Sequence, residues 1–333
     1  MKKKICLAAV LLCCLSLFLL SPKEEESLPA EGYLKWVEFD IPYSALNAAL
    51  EVDIDTYDTN HPVSWIDLLA CLGVKYGGNW GEYRYADLQK MADTLSSTSA
   101  EELMADNKYY SYYAEAYEAV LGGMVGPYRK EAPDPSRPGE KTIVEKYGLK
   151  AYCPIAEGFG YSHYDDFGNS RDYGYRRRHL GNDLLGAVGT PIVSVESGIV
   201  EHLGWNQYGG WRVGIRSLDG KRYYYYAHMR KDHPYHRDLH EGKVVKAGEV
   251  IGYLGMTGYS TSENVNGMTR PHLHFGIQLI FDESQAEENE IWINAYEIVR
   301  LLSQNKATVE RDEESKEYYR KYDIFDPIVA ISD

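Results

Sequence analysis

Five side chains able to ligate a metal sit in three short patches between residues 179 and 274, and any fold of this chain must bring the patches together. The first patch is His179-Leu180-Gly181-Asn182-Asp183, the second Tyr226-Ala227-His228-Met229, the third Pro271-His272-Leu273-His274-Phe275. His272 and His274 lie in a run that alternates with Leu273, Phe275, Ile277 and Leu279. Such alternation predicts a strand, on which residues two apart share a face, so both imidazoles enter one cavity while the apolar residues anchor the other face. His228 ends the aromatic run Arg222 to Ala227, which also favours a strand. His179 and Asp183 flank a glycine where the chain can turn both side chains toward one ion.

Taken alone, an H-x-H is more often a pair of ordinary strand histidines than a metal site. Four histidines and an aspartate together are one group more than zinc takes from protein. That surplus suits a catalytic centre, where three ligands hold the ion and the remaining groups act on a water.

The order H-x-G-x-D, Y-A-H, P-H-L-H-F resembles the lysostaphin-type zinc endopeptidases that cut bacterial cell-wall peptides. The linking motifs agree: Gly158-Phe159-Gly160-Tyr161, Gly189-Thr190-Pro191-Ile192, Val245 to Gly252 and Gly255-Met256-Thr257-Gly258. This resemblance covers about 125 of 333 residues. It implies His179, Asp183 and His274 as ligands of one zinc per chain, and His228 and His272 as the two catalytic histidines. It also implies peptidoglycan peptides as the substrate, either stem or cross-bridge, and a two-sheet β architecture of the duplicated hybrid motif type. Which catalytic histidine serves as base and which stabilises the oxyanion is left open. The competing expectation is a non-catalytic relative acting as a cell-wall scaffold or activator; such a relative should lack one of the five residues, and all five are present.

The surrounding chain predicts a multidomain α+β protein, with a mainly antiparallel-β catalytic domain behind an α-helical accessory domain. Residues 1–22, with Lys2, Lys3 and Lys4 before the apolar run Ile5 to Leu20, read as a signal peptide or N-terminal membrane anchor. Sixteen residues reach about 24 Å as a helix, short of a ~30 Å hydrocarbon core. Everything after them is expected outside the cytoplasm. Residues 23–40 read as a linker and 41–130 as the helical domain, with Ser64 capping a helix through Trp65, Leu68, Leu69 and Leu72. Thr98-Ser99-Ala100-Glu101 has the form of a capping box, and Tyr109, Tyr113 and Tyr117 stripe a further helix whose role is packing. Residues 131–150, carrying Pro133, Pro135 and Pro138, read as a linker that permits docking or free movement. The zinc endopeptidase domain follows over 151–304, ending in a helix, and 305–333 form a charged tail, mobile over 305–322 and apolar enough from Ile324 to Val329 to dock.

Net charge is −15, but residues 155–281 alone sum to +1, so the acidic excess lies in the appendages. No basic face suited to nucleic acid is indicated. Cys71 and Cys153, the two cysteines beyond the targeting segment, are expected as buried free thiols. His233, His236 and His240 fall in a polar loop (Arg230 to Gly242) and are expected to be solvated. His61, His163 and His202 are expected to be structural. The exposed loop from Tyr259 to Arg270 is expected to wall one side of the groove.

Overall fold

The computed structural model describes residues 37–173, 175–281, 290–327 and 329. The targeting segment expected over 1–22 lies outside the described residues; among those described, no helix is long and apolar enough to cross a membrane. The core of the β region is an eight-stranded antiparallel sheet. In chain order its members are β3 (Tyr161–His163), β6 (Asn182–Gly186), β8 (Gly198–Asn206), β9 (Gly210–Ser217), β10 (Arg222–Ala227), β11 (Val244–Val245), β13 (His272–Leu279) and β14 (Ile291–Ile293). The spatial order is β11-β8-β9-β10-β13-β6-β3, with β14 added along β13. A two-stranded partner pairs β7 (Pro191–Val193) with β12 (Val250–Tyr253). No closed barrel forms; the fold is mainly antiparallel β behind a helical region, as the alternation predicted.

Strand β13 pairs with β10 on one side and β6 on the other. Its alternation decides which residues face where: Leu273, Phe275, Ile277 and Leu279 are buried in the apolar core, while His272 and His274 point to the opposite face. Between Ile192 and Val200 the chain forms parts of two strands, β7 and β8, because the turn Ser194 to Ser197 sits between them.

The helical region is formed by α1 (Tyr43–Thr56), α2 (Trp65–Tyr76), α3 (Tyr85–Leu95), α4 (Ala100–Leu103) and α5 (Tyr110–Leu121). Ser64 caps α2 by accepting from the Asp67 amide, and Gly77 closes it in the left-handed conformation at φ 57°. The predicted capping box is shifted by one residue: Ser99 caps α4 through the Glu102 amide, and Thr98 bonds the Glu102 carboxylate. The tyrosine stripe is packing: Tyr117 is buried and accepts a hydrogen bond from Trp80 Nε1 at 2.9 Å, while Tyr109 is exposed.

Residues 131–150 are not a linker. They belong to a long hairpin of β1 (Val125–Pro133) and β2 (Lys141–Leu149), paired along its whole length, and the prolines sit at its tip. The proline-rich composition was a turn signal, which sequence alone does not separate from a spacer. The 305–333 segment is likewise paired: β15 (Val309–Arg311) with β16 (Tyr318–Arg320), and β17 (Ile324–Phe325) with β1. Val37 and Phe39, expected in a linker, are buried. One continuous apolar cluster runs from Phe39, Leu46 and Leu69 through Tyr224, Phe275 and Leu302, so the helices and the sheet share a core. Helix α6 (Tyr296–Leu302) sits beside α1, where Glu297 accepts the Tyr43 amide at 2.8 Å.

At the junction lies Arg222 on β10, 1% exposed, donating to Glu196, to Asp219 and to the Ala119 carbonyl of α5. Tyr224 adds its hydroxyl to the same Glu196. Burying a guanidinium is costly unless it is saturated with partners, and this one is.

Two expectations follow for stability. Arg222→Ala should lower unfolding free energy in urea by about 3–5 kcal/mol, because Glu196 is left as an uncompensated buried charge. A chain beginning at Lys141 strips β2 of its partner and opens the shared core, so its thermal melt should lose its cooperative transition.

Candidate metal centre and cleft

Cross-strand register places the first and third patches against each other. His274 on β13 lies directly opposite Asp183 on β6, and Ala227, one residue before His228, lies opposite His274 on β10. His179, four residues ahead of Asp183, returns to the same point. The three predicted ligands, His179, Asp183 and His274, converge: Nε2 of His179 is 2.8 Å from Nδ1 of His274, and Oδ1 of Asp183 is 3.1 and 3.4 Å from those nitrogens. Ligand atoms about 2.0–2.2 Å from one tetrahedral ion stand about 3.3 Å apart, so the triangle has the size zinc requires. Asp183 Oδ1 is buried yet accepts no geometrically sound hydrogen bond, an orphan that a cation would satisfy.

The non-ligating atoms are held from behind. His179 Nδ1 faces the Asp166 backbone oxygen at 3.0 Å, which fixes its proton there and leaves the Nε2 lone pair aimed at the centre. Arg171 ties Asp166 to Oδ2 of Asp183 at 3.1 Å. Burial works against a charged His179, but its contacts with the Asp166 and Asp183 carboxylates outweigh it and raise its pKa to about 9. Burial would raise Asp183, yet its contacts with His179 and His274 hold it well below the carboxylate range. Burial, against the pull of Asp183, lowers His274. The pocket thus favours an ionised Asp183 and a neutral His274 ring.

The predicted catalytic pair stands beside the triangle. His228 packs its ring 4.7 Å from that of His272 and 5.9 Å from that of His274. Its backbone is left-handed, φ 61°, a conformation uncommon for residues other than glycine. Two hydrogen bonds hold it: its amide to Gly209 O at 2.7 Å and its Nδ1 to Thr257 O at 2.8 Å. Burial, then the neighbouring His272 and His274, push its pKa well below that of free histidine, so the ring is neutral with a bare Nε2. His272 has the same arrangement, Nδ1 against Arg270 O at 2.8 Å, and its Nε2 lies 3.7 Å from Asp183.

Gly181 makes the first patch possible. A Cβ there would stand 2.6 Å from the Phe275 oxygen and 2.8 Å from the His274 ring, so only glycine lets β6 approach β13 this closely.

The five residues open into a cleft of about 590 Å³ whose walls are Arg171, Arg177, Tyr208, Tyr225, Tyr259 and Met268. It runs on, past Tyr225 and His274, into a groove of about 1630 Å³ over β8, β9 and β10. Tyr259 and Met268 place both ends of the 259–270 loop on the wall, as expected. Asp166, Arg171, Arg177 and Tyr208 escaped the sequence reading. Asp166 and Arg171 reach His179 only because the hairpin of β4 (Ser170–Tyr173) and β5 (Tyr175–Arg178) folds the chain back, and no spacing rule reports that.

Other histidines are not part of the centre. His236 is buried rather than solvated, edge-on to Tyr319, and His233 pairs with the buried Glu317 at 2.8 Å; the docked β15–β16 hairpin covers the loop. His240 is exposed, as expected. Cys71 and Cys153 are buried and free. Among the described residues, His179, Asp183 and His274 form the one cluster able to hold a metal.

The profile of Peptidase family M23 matches residues 177–287, which contain the entire centre. An L-Ala–D-Glu endopeptidase of Bacillus subtilis is 38% identical over 124 residues, 37% of this chain and 36% of that protein. Lysostaphin of Staphylococcus simulans is 38% identical over 98 residues, 29% of this chain and 17% of that protein. The chain thus spans about a third or less of these relatives' lengths. The crystallised catalytic domain of lysostaphin is 30% identical, with 42% of this chain and 92% of that one covered, at a TM-score of 0.33. A lytM protein from Ruminococcus gnavus shares the fold over 84% of this chain and 94% of its own, with a TM-score of 0.52 at 22% identity. Residues 177–287, which enclose every residue of the centre, thus form a Peptidase family M23 domain homologous to the lysostaphin-type endopeptidases.

Proposed function

We propose that this protein is an exported zinc endopeptidase that hydrolyses peptide bonds of bacterial peptidoglycan. The observation that carries the reading is the triangle of His179, Asp183 and His274, sized for zinc and flanked by two imidazoles with bare Nε2 atoms. His179, Asp183 and His274 would hold the ion, one per chain. Zinc there would supply Lewis acidity toward a water and toward the scissile carbonyl.

The chain's own residues divide the remaining work. His228, kept neutral by burial, takes a proton at Nε2 from the attacking water. The Nε2 of His272, 3.7 Å from the Asp183 carboxylate, faces the same cleft and, once protonated, donates to the developing oxyanion. Thr257 O and Arg270 O hold the two rings in the tautomer this needs. The groove over β8 to β10 accommodates an extended peptide. A relative named as a peptidoglycan DD-endopeptidase, 35% identical over 102 residues, supports the substrate class, and Lys2 to Lys4 before the run Ile5 to Leu20 support export.

Metal analysis and peptidoglycan-fragment release test the roles separately. His179→Ala and Asp183→Ala should drop zinc from one per chain to near none. His228→Ala and His272→Ala should retain zinc while turnover falls about 10²–10⁴-fold. A folded Asp183→Ala protein with full zinc and full activity would refute the assignment. Gly181→Ala, whose new Cβ presses on the His274 ring, should weaken zinc binding at least about tenfold with far-UV dichroism unchanged.

A further inference from the structure

The cleft walls carry positive charge that the fold leaves unspent. The β4–β5 hairpin and its edges bring Arg171, Arg176, Arg177 and Arg178 beside the metal centre of a chain whose net charge is −15. Arg171 is committed to Asp166 and Asp183, and Arg176 is exposed with its Nε on Ser170 Oγ. Arg177 differs. Its guanidinium lies 4.7 Å from the Tyr208 ring centre and 5.0 Å from that of Tyr259, and its Nη2 donates to the Tyr259 hydroxyl at 2.9 Å. Stacking and that hydrogen bond fix the plane of the fork, yet among the described residues Nη1 is buried with no partner.

Arg212, which lines the adjoining groove with Tyr225, repeats the condition: among the described residues its Nε is buried with no partner. Among the described residues, neither guanidinium has a carboxylate within salt-bridge distance, whereas the neighbouring Arg216 is paired with Glu201 and Arg222 with Glu196 and Asp219. A buried guanidinium donor without an acceptor is unfavourable, and a planar carboxylate is the group that best satisfies it.

We propose that Arg177 and Arg212 bind carboxylates of the substrate, so that the cleft takes an acidic peptide, bearing free carboxylates beside the scissile bond, over an uncharged oligoglycine bridge. This rests on the peptidoglycan-endopeptidase reading above and narrows it to the stem peptide. Arg177 lines the same cleft as His228 and His272 and serves the carboxylate nearest the bond; Arg212 serves one farther along the groove.

The test measures kcat/KM of the zinc-loaded full chain on three soluble substrates. They are a stem peptide with free carboxylates, the same peptide with those groups converted to carboxamides, and an oligoglycine peptide. The wild-type protein should prefer the carboxylate form to the carboxamide form by about 10–100-fold, and to oligoglycine by more. Arg177→Gln should bring the carboxylate-to-carboxamide ratio close to one, Arg212→Gln should reduce it by part, and Arg177→Lys should restore some of it. A general loss of folding moves both rates together and leaves the ratio alone. Equal rates on both forms in the wild type, a preference for oligoglycine, or a ratio that survives both glutamine substitutions overturns the arginine assignment while leaving the endopeptidase in place. Failure of the wild-type holoenzyme on all three substrates overturns the peptidoglycan reading and the inference with it.

Discussion

The pairing of β13 with β6 and β10 is the constraint on which the rest of the structure depends. It sets His274 across from Asp183 and brings His228 to the end of the neighbouring strand. Side chains alternate strictly along a strand, so a slip of one residue would turn both histidines into the core and Leu273 and Phe275 out to the cleft. The apolar face that holds the register is thus the same device that aims the ligands. Packing and chemistry are two faces of one eight-residue strand.

Around that rigid triangle the supporting groups are backbone oxygens and a second carboxylate. Asp166 O, Thr257 O and Arg270 O each take one ring nitrogen of His179, His228 and His272, leaving the other nitrogen free toward the cleft. A carbonyl accepts and never donates, so each of these contacts decides a tautomer as well as an orientation. The cleft walls come from different material: the β4–β5 hairpin, the turn at Tyr208 and the 259–270 loop. Strands position the chemistry and loops shape what reaches it, which lets one vary without disturbing the other.

The centre was legible in the sequence because its residues obey local periodicities. H-x-H on an alternating run is a strand statement, and Ser64 before Trp65 and Leu68 is a helix statement; both hold in the structure. What escaped was long-range. Asp166 and Arg171 reach His179 through a hairpin, Arg222 reaches Ala119 across more than a hundred residues, and neither distance leaves a trace in composition. The proline-rich stretch misled for a related reason. Prolines mark a place where the chain leaves regular structure, and a hairpin tip and a flexible spacer look alike until the flanking strands are seen to pair. The charged segment past residue 305 misled because Glu317, buried against Tyr253 and His233, is acidic in sequence but internal in space.

Strand β17 pairs with β1, joining Ile324 to Lys130 and Phe325 to Arg129. Closing that ladder brings together segments separated by nearly two hundred positions, among the slowest kinds of contact for a chain to find. During synthesis, β1 has β2 for company but keeps its other edge bare until Ile324 and Phe325 have emerged. The protein therefore acquires its finished edge late, and until then β1 presents an unpaired strand edge.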